Sequence, residues 1–106
     1  MSGWVDVDRT EAFGPGEVRL VDADGTAIAV YNLGGEYHAI ENVCTHDGNE
    51  LASGAVEGDQ VICPRHGARF CIRTGEALTA PAYEATPRFP VRIEAGVVQV
   101  RDDRWD

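Results

Sequence analysis

Apolar residues recur along this chain with a period of two, in short runs cut off by glycine turns. Nowhere do they keep the 3.6-residue period of a sustained helix. Trp4-Val5-Asp6-Val7 alternates as a half-buried strand does. Glu17 to Asp22 and Thr26 to Tyr31 flank Asp24-Gly25, a pair that favours the tight turn of a β-hairpin. Gly34-Gly35 turns the chain again into Glu36 to Ile40. At the far end, Phe89 to Glu94 and Val97 to Arg101 flank Ala95-Gly96 and read as a last hairpin. Between Glu41 and Pro87 the regularity falls away. Short strands are expected there at Gln60-Val61-Ile62, at Arg69-Phe70 and at Glu76-Ala77-Leu78. A single helical turn fits near Asp8 to Ala12, with Asp8 or Thr10 as its cap. The pattern predicts an all-β, antiparallel sandwich or barrel with an irregular insertion in its middle.

At 106 residues the chain has the size of one domain, residues 1–106. A core of that size leaves no room for a catalytic domain beside a cofactor domain. Eighteen acidic side chains against nine basic ones give a net charge of −9. That balance argues against nucleic acid and against an anionic membrane surface as partners. A basic patch on another protein would instead attract the chain, and docking steered that way should weaken with salt. No run reaches the ~20 apolar residues of a spanning helix, and the first residues carry no export signal. Three cysteines cannot all pair within one chain, so a reducing, cytoplasmic location is the expectation.

The chemistry lies in the irregular middle. Cys44-Thr45-His46 is a C-x-H pair and Cys63-Pro64-Arg65-His66 a C-x-x-H pair. Gly48 follows closely on the first and Gly67 on the second. Two thiols and two imidazoles on two glycine-bearing loops make a four-ligand metal site, and spacing alone leaves both zinc and an iron–sulfur cluster open. Nothing in the chain forms a phosphate loop, a dinucleotide fingerprint or a hydrolytic constellation.

The pattern C-x-H … C-x-x-H resembles the Rieske-type [2Fe–2S] family. The likeness extends over Cys63 to Phe70 and Arg73 to Leu78, which are similar to that family's second cluster loop and its continuation. Pro81-Ala82-Tyr83 sits where the family has a proline-bearing loop over the cluster. The resemblance implies a Rieske-like β-fold with cluster-binding loops at about 41–50 and 62–72. It implies one [2Fe–2S] cluster, with Cys44 and Cys63 on the buried iron and His46 and His66 on the outer one. Two neutral imidazoles in place of two thiolates leave the site less negative, which raises the potential above that of an all-cysteine cluster. The respiratory branch has a cysteine pair forming a disulfide between its two loops; here Asn49 and Arg65 stand at those positions. That branch also has serine and tyrosine hydroxyls donating toward cluster sulfur, and here Ala68 and Phe70 replace them. With fewer donors, the potential should lie near the low end of the Rieske range, roughly −150 mV.

The function so implied is single-electron transfer by a carrier with no substrate chemistry of its own. Electrons would pass from a flavoprotein ferredoxin reductase to the terminal oxygenase of an aromatic-ring dioxygenase system, as in aromatic hydrocarbon catabolism. The alternatives are a carrier for iron–sulfur assembly or nitrite reductase, and a zinc-stabilised binding module. The remaining candidates read as structural. Cys71 is expected as a small buried filler, His38 as an ordinary strand residue, and Trp4, Trp105 and the tyrosines as core or edge packing. Asp47 fits a solvated loop carboxylate as well as a partner for His46. Arg65 and Arg69 either meet an acidic partner or offset local acid.

Overall fold

The structure, a computed structural model, describes residues 3–45, 48, 50–65, 67–80 and 82–104. Ten strands follow one another: β1 (Val5–Arg9), β2 (Val18–Ala23), β3 (Thr26–Leu33), β4 (Glu36–Glu41), β5 (Val56–Glu57), β6 (Gln60–Ile62), β7 (Arg69–Cys71), β8 (Arg88–Phe89), β9 (Val91–Glu94) and β10 (Val97–Val100). They form three antiparallel sheets in the orders β1-β10-β9, β2-β3-β4-β8 and β5-β6-β7. The only helical piece among the described residues is a 3-10 turn at Thr10–Ala12. Its cap is Arg9 and makes no side-chain cap bond, contrary to the expected Asp8 or Thr10. Asp8 is engaged elsewhere, accepting from Arg19 Nε at 2.9 Å.

The four-stranded sheet is the middle layer. On β3, Ile28 and Val30 enter one buried cluster with Phe13, Phe89, Val98 and Val100. Ala29 and Tyr31, one residue out of phase, enter a second cluster with Ile40, Leu51, Val61, Phe70 and Ile72. Both faces of β3 are therefore buried, which is why its sequence reads as a nearly continuous apolar run. The second cluster packs the small sheet β5-β6-β7 against this layer, and that sheet carries the irregular middle of the chain.

Two departures from the expected strands have plain causes. Phe89 to Glu94 is not one strand. Pro90 has no N–H to give to a ladder, and there the chain passes from β8, paired with β4, to β9, paired with β10. Glu76 to Leu78 shrinks to a single bridge between Ala77 and Phe70, because the Thr74-Gly75 turn folds it straight back onto β7.

Two buried polar groups yield predictions. Tyr31 is 2% exposed, its hydroxyl has no hydrogen-bond partner, and burial pushes its pKa up to about 12. A buried hydroxyl left unpaired is a cost. Tyr31→Phe is expected to raise unfolding stability by about 1 kcal/mol in denaturant titrations. Asp102 accepts from Thr26 Oγ1 at 2.7 Å and from Arg104 Nη2 at 2.9 Å, and the Arg104 guanidinium holds its carboxyl well below the usual range. Asp102→Asn is expected to cost about 2 kcal/mol at pH 7. A depressed carboxylate contributes fully above its unfolded pKa of about 3.9, and that contribution drains away as pH falls below it. The gap between variant and parent should accordingly narrow in acid.

Candidate metal centre

Cys44 lies just beyond β4 and Cys63 directly follows β6, so one comes from the middle sheet and one from the small sheet. The two are 0% and 1% exposed and belong to the same apolar cluster, beside Leu51, Ala68 and Ala82. Each heads the same kind of turn. Gly48 donates its N–H to the Cys44 carbonyl at 2.7 Å, and Gly67 donates to the Cys63 carbonyl at 3.0 Å. Both glycines have positive φ, +77° and +75°, a conformation that costs glycine little and other residues more. Cys63 N–H also donates to Ala68 O at 2.7 Å, which closes the second turn on itself.

The first turn is fastened by Asn42. Its Oδ1 accepts from the N–H groups of both Leu51 and Ala52 at 2.9 Å, drawing the far end of the loop onto the end of β4. Sequence reading missed this residue. Its signal was an Asx-type side chain at a strand end, able to replace backbone partners.

Thr79 and residues 82–86 tie a third segment to these turns. Thr79 Oγ1 accepts from Arg69 N–H at 3.0 Å. Thr86 donates N–H to Gly75 O at 2.8 Å and its hydroxyl to Glu41 O at 3.2 Å. Thr45 donates its hydroxyl to Glu84 O at 2.7 Å, joining this segment to the first turn one residue from Cys44. Ala82 is buried with both cysteines.

The other candidates sort as follows. His46, Asp47, Asn49, His66, Pro81 and Trp105 lie outside the described residues. Cys71 is not a buried filler. It is half-exposed and stands outside the apolar cluster, because strand alternation turns it away from buried Phe70 and Ile72. His38 is on β4 at the surface, its Nε2 3.2 Å from Glu36 Oε1 and 3.3 Å from Arg73 Nη1. Arg73 also pairs with Glu36 and holds that carboxyl below its usual range. Arg69 bonds Glu57 at 2.8 Å and so offsets local acid, whereas Arg65 is exposed with no ion pair among the described residues. Trp4 lies under the Arg92 guanidinium at 4.4 Å, a packing role at the sheet edge. A groove of about 280 Å³ between β4 and β8–β9 contains neither cysteine of the pair.

Two buried thiols on matching turns fit a soft metal or an iron–sulfur cluster by donor chemistry. The model of the Rieske [2Fe–2S] domain matches residues 3–90. The chain belongs to the Rieske [2Fe–2S] family. This Rieske chain is 35% identical over 97 residues to the ferredoxin component of the naphthalene 1,2-dioxygenase system of Pseudomonas aeruginosa, spanning 92% of this chain and 93% of that one. It is 39% identical over 82 residues to the 3-phenylpropionate/cinnamic acid dioxygenase ferredoxin subunit of Escherichia coli K12, 76% of each chain. Among solved structures, it matches a chain in a complex of reduced oxygenase and oxidised ferredoxin of carbazole 1,9a-dioxygenase. There the TM-score is 0.87 at 34% identity, covering 92% of this chain and 91% of that one. A terminal oxygenase of Nocardioides aromaticivorans shares the Rieske fold at 22% identity, over 29% of its length.

Proposed function

We propose that this chain is the ferredoxin component of a ring-hydroxylating dioxygenase system, a one-electron carrier between two protein partners and not itself an enzyme. The observation that carries the reading is the pair of buried cysteines on matching glycine turns, packed in one apolar cluster of a Rieske fold. The ferredoxin relatives, at 34–35% identity over nearly all of both chains, support it further.

Cys44 and Cys63 would hold one iron of the cluster through their thiolates and His46 and His66 the other, with residues 1–106 acting as one domain. A [2Fe–2S] cluster bound there would supply reversible one-electron chemistry. The chain's own residues set the conditions. Asn42 and the Thr45–Glu84 bond fasten the first turn, and the Cys63–Ala68 bond closes the second, so each cysteine is carried on a braced turn. Ala68 and Phe70 are fully buried in the same cluster and offer no side-chain donor toward sulfur. The midpoint potential is therefore expected near the low end of the Rieske range, roughly −150 mV by voltammetry, and a value above zero contradicts that. Among the described residues, no helix is long and apolar enough to cross a membrane, and the proposed site of action is the cytoplasm.

The experiment is electron transfer in two steps. NADH and a flavoprotein ferredoxin reductase reduce the purified protein, which is then mixed with the terminal oxygenases of naphthalene 1,2- and carbazole 1,9a-dioxygenase. The expected result is one electron per chain, a low-average-g electron paramagnetic resonance signal on reduction, and transfer to an oxygenase. A colourless zinc protein overturns the cofactor reading. Transfer only to a nitrite reductase or an assembly system overturns the choice of partner.

A further inference from the structure

Among the described residues, Tyr83 is the most exposed of the large apolar side chains, at 84%, against 55% for Leu20 and Ile93 and 42% for Leu78. Its backbone is nonetheless held on both sides. Ala82, before it, is buried with the two cysteines, and Glu84, after it, gives its carbonyl to Thr45. Thr79 and Thr86 tie down the two ends of the same segment. An aromatic ring on a fastened backbone makes contact at low ordering cost, and tyrosine is enriched among the residues that dominate interfaces.

The two cysteine loops and the segment bearing Tyr83 carry a small net charge in the sequence. Residues 44–50, 63–69 and 78–86 hold three acids (Asp47, Glu50, Glu84) against two arginines (Arg65, Arg69), a net −1 out of −9. Glu57, paired with Arg69, brings this to −2, so these segments are no more acidic than the rest of the chain. Pro64 and Leu78 add exposed apolar surface to these segments. An exposed aromatic ring on a fastened segment suits a contact that is desolvated when formed, with the acidic charge of the chain left to steer the approach.

We propose that Tyr83 is the central anchor by which this chain docks the terminal oxygenase, its ring entering an apolar recess beside the partner's electron-accepting centre. The inference rests on the function proposed above. It adds that the contact is apolar and centred on one side chain, where net charge alone suggests a salt-bridged one. The segment bearing Tyr83 is bonded to the turn of Cys44, so a partner seated on the ring is also seated against the end from which the electron leaves.

The test is stopped-flow oxidation of the reduced holoprotein by whichever of the two named oxygenases accepts its electron faster. Wild type, Tyr83→Ala, Tyr83→Phe and, as a remote exposed control, Ile93→Ser are compared. Tyr83→Ala is expected to raise the half-saturating oxygenase concentration about tenfold, with the rate at saturation, the paramagnetic spectrum and the midpoint unchanged. Tyr83→Phe, which keeps the ring, restores it, and Ile93→Ser matches wild type. Three results overturn the proposal. One is wild-type half-saturation in Tyr83→Ala. Another is a changed spectrum or midpoint in that variant, which makes Tyr83 a brace of the ligand loops. The third is a wild-type dimer that Tyr83→Ala splits, which makes the occupant a second copy. A wild type that reduces neither oxygenase while keeping its spectrum is a failure of the functional reading, separate from these.

Discussion

Cys44→Ser and Cys63→Ser will each yield protein without the cluster's visible absorbance and with iron reduced to a trace, while Cys71→Ser will keep full iron and an unaltered spectrum. The contrast follows from where the three thiols stand. Cys44 and Cys63 are buried in one apolar cluster, each at the head of a turn closed by a glycine N–H. Cys71 is half-exposed on β7 and outside that cluster. A serine oxygen is a harder, more basic ligand than a thiolate and a poor match for iron that sulfide also binds. It would also be left as a buried hydroxyl among Leu51, Ala68 and Ala82, at a cost of about 1–3 kcal/mol when unpaired. The same substitution at the surface of β7 meets neither penalty. Iron per chain and the visible spectrum of freshly purified protein check all three variants. Full iron in Cys63→Ser, or its loss in Cys71→Ser, overturns the proposed ligand set.

How much of this was legible in the residues depends on how local the cause is. The hairpins were legible because their turns carry their own chemistry. Asp24-Gly25 and Ala95-Gly96 both adopt positive φ at two successive residues, the conformation such two-residue loops require. The turns at Cys44 and Cys63 were legible for the same reason, since each closing glycine stands four residues after its cysteine. Burial on both faces of β3 was not, because an apolar run of that length is equally consistent with a simple hairpin. It took the small sheet, more than twenty residues further on, to cover Ala29 and Tyr31. The passage between sheets at Pro90 depends on two separate partners, β4 and β10, that no local pattern names. Cys71 is different, for its signal was present. Alternation between Phe70 and Ile72 places it on the outward face, and the expectation of a buried filler ignored that period. Tyr83, at 84% exposure, overturns the expectation that the tyrosines are core or edge packing, because no strand alternation runs through this irregular stretch to name its face.

Gly54→Ala is expected to lower unfolding stability by at least about 3 kcal/mol and to leave most chains without iron. Its cause is space, not backbone strain. A Cβ at this position would lie 1.8 Å from the carbonyl oxygen of Ile62 and 3.1 Å from that of Leu51. Both obstacles are backbone, so no side chain can swing aside. Gly54 N–H donates to Leu51 O at 2.9 Å, and Ile62 N–H donates to Ala55 O at 2.9 Å. The glycine is thus the seam where the end of the first loop lies against β6. Ordinary contact needs more than an ångström of separation there, and Ile62 is the residue before Cys63. Metal–ligand distances tolerate only about 0.2 Å, so a displaced Ile62 carries its cysteine out of register with Cys44. Gly3→Ala, where the added carbon meets nothing within 4 Å, supplies the neutral comparison. Denaturant unfolding and iron content, measured on both variants, separate the outcomes. If Gly54→Ala matches Gly3→Ala in both, the loop slides off β6 without disturbing Cys63, and the seam does not position the ligand.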